Sequence, residues 1–180
     1  MASITTINQR VLNAINLKNQ DNLYFAIGKS TAWTDEENPD TPLTSQTEIE
    51  ELIYIKKISV KQLVKLADAY PYIYDIYGAS VTVNGIDYTY VLEGVAYTEQ
   101  AYMVYLSANI NYEDIAPTDI NFRSIGILLN PLDSEGEELT GSEYLAASVD
   151  EQGELLYVWN FQAITRDPSQ SEKIEIVIVF

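Results

Sequence analysis

The 180-residue chain carries 10 Lys+Arg against 27 Asp+Glu, a formal charge of −17, with 47% hydrophobic residues and neither Cys nor His. That composition fits one globular domain and excludes disulfides, thiolate metal centres, imidazole ligation and both Ser-His-Asp and Cys-His catalysis. So acidic a surface repels phosphate and anionic lipid, which argues against nucleic acid and membrane as partners.

The opening, Met1-Ala2-Ser3-Ile4-Thr5-Thr6, has no basic region followed by an apolar one, so no signal peptide and a cytoplasmic start are expected. Ile4, Ile7, Val11, Leu12 and Ile15 fall on one helical stripe and predict an amphipathic helix over residues 4–17. Leu23 to Ile27 follow as a buried strand ending at Gly28. Thr34 to Thr44, with Pro39, Pro42 and four acids, reads as an irregular loop. Ser45 and Glu48 have capping-box spacing, which predicts a short second helix with Ile49, Leu52 and Ile53 on its apolar face. From Ile55 to Ala67 the pattern fits either element type, with near-alternation at Ile55–Val60 favouring a strand.

From Ala79 the signal is β. Val81–Val83 and Ile86–Val91 flank Asn84-Gly85, a pair suited to the positive φ angles of a tight hairpin. Ala101 to Ile110 and Phe122 to Leu129 predict further strands, and Pro131 with the Asp133–Glu138 run predicts a loop. Lys173 to Phe180 begins in alternation and ends continuously apolar, as in a strand buried on both faces. Such a strand is too apolar for a bare edge, so it is expected inside the sheet or under a second copy. The fold class is α+β: a mostly antiparallel sheet with an N-terminal helix and a second short helix. One domain spans 1–180, with 70–112 as a hairpin-rich subregion.

Chemical motifs are few. Gly28-Lys29-Ser30 looks like the end of a phosphate loop, yet Leu23 stands where that loop needs its first glycine. The acids of Asp133–Glu138 lack the spacing of a twelve-residue calcium loop. Carboxylate pairs could in principle run glycoside hydrolysis, but 27 acids make chance pairs unavoidable. No cofactor motif is present.

Tyrosine is enriched locally: 14 in the chain, with Tyr70, Tyr72, Tyr74 and Tyr77 packed into eight residues. Such residues stack between strands or supply rigid contact area at interfaces. Arg123 is the sole base between Lys65 and Arg166, so a carboxylate partner is expected for it, inside the fold or across an interface. The acid excess itself reads as a solubilising surface or as a docking face for a basic neighbour.

Three segments resemble a known family. Phe25 to Trp33, with Gly28 and Trp33 in a strand-Gly-basic-Ser-x-x-Trp order, leads into the acidic Thr34–Asn38. Asn121 to Leu132 places Phe122 and Arg123 in a strand that leads into Asn130-Pro131. Gly153–Tyr157 and Glu172–Phe180 complete the order. Together they resemble the gene 8-type baseplate wedge protein of T-even contractile-tailed phages, over roughly residues 1–54 and 100–180. The middle departs, since that family carries a large central insertion with cysteines.

The resemblance implies a non-catalytic structural subunit of the virion, assembled in the host cytoplasm. It would bind other wedge or tail proteins and form a homodimer. Candidate partner contacts are Tyr70, Tyr72, Tyr74, Tyr77 and Arg123; Gly28, Trp33, Phe122, Asn130 and Pro131 are structural. Two other readings remain: a carbohydrate-binding or glycan-hydrolysing tail accessory, and a head–tail neck component.

Overall fold

A computed structural model describes residues 4–67, 80–111, 121–165 and 171–180. Among them the chain forms one α-helix and ten strands, arranged in two five-stranded sheets rather than one. Two compact units account for these elements. The first comprises residues 1–20, 59–107 and 174–180, and the second comprises 21–58 and 108–173.

In the first unit, α1 (Ile7–Lys18) begins later than its apolar stripe suggests, because the Thr6 hydroxyl caps it by accepting from the Gln9 amide. Val11, Ala14 and Leu17 are its buried residues, and it packs against β3 (Val60–Leu66). β4 (Ser80–Val83) and β5 (Ile86–Tyr90) form the expected hairpin, with Asn84 and Gly85 at φ 51° and 78°. Glycine adopts that φ freely, and asparagine tolerates it better than most residues. β6 (Met103–Ile110) pairs antiparallel with β3 in the register Leu63↔Val104.

β10 (Glu172–Val179) lies at the edge of this sheet, whose order is β10-β6-β3-β5-β4. Among the described strands the expected interior position is therefore corrected to an edge. Charge early in the strand (Glu172, Lys173, Glu175) moderates the edge, and the Tyr105 hydroxyl donates to Glu175. Val64, Val83, Tyr88, Met103 and Tyr105 form a core cluster on which Val177 packs.

In the second unit the order is β8-β2-β1-β7-β9, and every pairing given for it is antiparallel. β1 (Leu23–Gly28) is central and buried at all six positions, between β2 (Tyr54–Lys57) and β7 (Asn121–Leu129). β8 (Glu143–Leu145) and β9 (Glu154–Thr165) close the two ends.

The second helix does not form. Residues 45–53 make turns, and the only other helical segments described are 3-10 turns at Glu93–Val95 and Ala146–Ser148. The backbone groups a helix would pair internally are taken by other partners. The Ile53 amide donates to the Ile27 carbonyl at 2.8 Å, and the Lys29 amide donates to the carbonyls of Glu50 and Glu51.

Candidate functional site

The second unit concentrates its polar contacts around the loop between β1 and β2. Gly28 ends β1 where the chain returns over it; a Cβ there would stand 2.3 Å from Ile49 Cγ2 and 2.5 Å from the Glu50 carbonyl oxygen. Gly126 on β7 is equally constrained, at 2.3 Å from Ile49 Cδ1. With Ala26 opposite Gly126, the two glycines leave a socket that the Ile49 side chain fills, within the cluster of Tyr24, Ala26, Ile55, Leu128 and Leu139. Gln152 fixes the backbone of that knob from both sides. Its Oε1 accepts from the Ile49 amide at 2.7 Å, and its Nε2 donates to the Ile49 carbonyl at 3.1 Å.

Beside the socket, Glu51 gathers donors from the chain that leaves Gly28. It accepts from the Ser30 hydroxyl at 2.9 Å, from the Thr31 amide at 2.8 Å and from the Thr31 hydroxyl, while Lys29 Nζ lies 3.2 Å from both Glu50 and Glu51. Burial pushes the Glu51 carboxyl up, but the donations from Thr31, Ser30 and Lys29 outweigh it and hold the group at about 2. The Gly28-Lys29-Ser30 segment thus surrounds a carboxylate of its own chain.

Farther along, a strap crosses to β9. Trp33 is 8% exposed, as its position beside a strand end predicts, and its indole N–H donates to the Phe161 carbonyl at 2.9 Å. Glu36 is the carboxylate partner of Arg123: Nε donates to it at 2.7 Å, and Nη1 donates to the Ser30 carbonyl at 2.6 Å. Burial raises the Glu36 carboxyl, and the Arg123 guanidinium with the Ala163 and Trp33 amides brings it below its ordinary value. The strap therefore meets β9 twice, at the Phe161 carbonyl and where the Asn160 side-chain amide donates to the Asp40 carbonyl at 2.7 Å. Phe122 packs edge-on against Phe161 at 5.5 Å between centroids.

Asn130 takes φ 53° to leave β7, its amide donating to the Asn22 carbonyl, and the Pro131 carbonyl accepts from the Leu139 amide. Leu132 then bridges both Glu138 and Glu151, so the acidic loop predicted at Asp133–Glu138 is laid beside Asp150 and Glu151.

Gly28, Trp33, Arg123 and Phe122 thus share one region, and Asn130 and Pro131 lie at the opposite end of β7. Tyr70, Tyr72, Tyr74 and Tyr77 fall outside the described residues. Sequence reasoning missed Glu51, Gly126 and Gln152, and put Ile49 on a helix face rather than in the socket. The glycine within a β-branched strand at 126 is the signal that could have exposed the socket, since an interior strand glycine marks a close approach.

Among the described residues, no group of three or more Asp or Glu is placed to hold a metal ion, and no helix is long and apolar enough to cross a membrane. The contacts hold loops onto strands. Fold and contacts together define an acidic, antiparallel two-sheet protein whose polar clusters serve its own architecture.

The chain belongs to the family described as baseplate wedge 3 tail fiber network component, whose model matches residues 1–180. It is 34% identical over 151 residues to Virion protein 3 of Enterococcus phage phiEF24C, covering 82% of this chain and 81% of that protein. Recognition of a phage baseplate wedge protein from the ordered segments is thereby borne out. The chain is a baseplate wedge and tail fibre network component of a phage virion, in a family of structural baseplate components.

Proposed function

We propose that the chain is a non-catalytic wedge subunit that binds other baseplate proteins and a second copy of itself, and that it joins the particle in the host cytoplasm. The observation that carries this reading is the family match along the whole chain. Charge supports it. Lys18, Lys29, Lys56, Lys65 and Arg123, five of the ten bases, pair with carboxylates of the same chain, and the acid excess of 17 stays. An acidic subunit of this kind suits basic neighbours, with like-charge repulsion suppressing wrong contacts.

Tyr70, Tyr72, Tyr74 and Tyr77 are the proposed docking residues, because tyrosine gives broad contact area at low entropic cost. The test replaces Tyr72, Tyr74 and Tyr77 with serine. The triple variant should stay folded by circular dichroism yet fail to enter an assembly mixture from which the parent chain is recovered. Normal incorporation would place docking elsewhere. A glycan screen of the purified protein should stay silent, and turnover or binding there would favour a tail accessory instead.

A further inference from the structure

Among the described residues, the sheet of the second unit ends in two unequal edges. β8 is three residues long and runs directly into the 3-10 turn Ala146–Ser148, so it offers a neighbour little backbone. β9 is twelve residues long, and Glu154 is its only charged residue. Edge strands are ordinarily blunted by charge, proline, bulges or cover, because their unpaired amides and carbonyls template further pairing. On β9 the cover lies at one end: Trp33 occupies the Phe161 carbonyl, and the Asn160 side-chain amide donates to the Asp40 carbonyl at 2.7 Å. Along Tyr157–Asn160 the strand is paired in unbroken register to Ile127–Ser124 on one side, and no described strand pairs on the other.

Two further observations say what would fit there. The Tyr157 and Trp159 rings stack at 5.9 Å and 13°, giving half-buried aromatic surface on one face of the strand for cross-strand side chains. Beside the start of β9, Glu154 follows Asp150 and Glu151, and the Leu132 bridges bring Glu138 to the same end. A second copy paired on β9 would bring another acidic end and no base on the strand.

We propose that Glu154–Trp159 accepts, as an added strand, an extended segment of a neighbouring baseplate protein. That segment is apolar or aromatic where it passes Tyr157 and Trp159 and carries Lys or Arg where it passes Glu151 and Glu154. Main-chain hydrogen bonds give such strand addition its affinity, and alternate side chains give it specificity. The proposal rests on the wedge-subunit reading.

Hydrogen exchange on the free protein and on isolated baseplates tests it, together with zero-length carbodiimide cross-linking of the baseplates. Those amides of 154–159 that face away from β7 should exchange at least about tenfold more slowly in the particle, and Glu151 or Glu154 should cross-link to a lysine of a different protein. Equal exchange in both samples, with the chain present in the baseplate, overturns the added strand while leaving the wedge reading intact. Concentration-dependent protection in the free protein, or cross-links to this chain's own lysines alone, makes a second copy the occupant and overturns it too. Absence of the chain from baseplates would sink the wedge reading itself. Glu151→Lys with Glu154→Lys should fold normally and lose incorporation; full incorporation would exclude a basic partner segment.

Discussion

Gly126 leaves no room for a side chain, because Ile49 Cδ1 and Cγ1 and Leu155 Cδ1 all lie within 3.0 Å of where its Cβ would stand. Gly126→Ala should therefore overpack the socket and cost about 1–3 kcal/mol. Ile49→Val removes the nearest of those atoms. By itself it leaves a small void, but in the Gly126→Ala background it should restore part of the loss. A double-mutant cycle by urea denaturation checks this, and simple additivity would mean that the two side chains do not compete for the same space. Trp33 is held differently, by burial and by its indole bond to Phe161, so Trp33→Ala combines a large-to-small loss with an orphaned carbonyl. The expected cost is about 3–5 kcal/mol, and a melting temperature within about a degree of the parent would remove Trp33 from the core.

At the scale of elements, α1, β1, the Asn84-Gly85 hairpin, β6, β7 and β10 were legible because each follows a local period or a turn pair. β9 was not. Leu155-Leu156-Tyr157-Val158-Trp159 shows no alternation, since all five are partly buried and a register shift opposite Leu128 interrupts the pairing. Residues 45–53 misled in the other direction: their capping spacing is genuine, yet tertiary partners for Ile49 and Ile53 outcompete a nine-residue helix. Glu51 shows the same priority of tertiary over local bonds, and it gives the turn an acid sensitivity. Its carboxyl lies at about 2 in the folded chain against an ordinary 4.5. The unfolded chain therefore takes up a proton first as pH falls, so the contribution of the clamp is complete above 4.5 and is lost progressively towards about 2. Glu51→Gln should flatten that part of the stability profile in urea midpoints measured across the window. An unchanged slope would assign the acid sensitivity to other carboxylates.

For the whole molecule, the connection between sequence and units matters more than any one contact. β10 lies at an edge, but it supplies Val177 to the first unit's core cluster and Glu175 to Tyr105, and the Phe180 carbonyl accepts from Arg10. Deleting residues 174–180 should therefore abolish soluble folding, read as loss of a cooperative melt and of the monodisperse peak in size-exclusion chromatography; a soluble, cooperatively melting truncation would show that β6 can end the sheet. The same connectivity has a consequence in time. The first unit draws on residues 1–20, 59–107 and 174–180, so the chain leaves it twice and returns twice before its last strand is made. At roughly 5–20 residues per second, the stretch from the end of α1 to the start of β10 takes ~8–31 s to make, and the stretch from the end of β6 takes ~3–12 s. Through those intervals α1 and then β6 wait without β10, their apolar faces incomplete. High-separation pairings of this kind also fold slowly once available. Completion of β10 is thus a clock: until synthesis has passed residue 179 the first unit stays unfinished, so its sheet is complete only after both excursions into the second unit have been made.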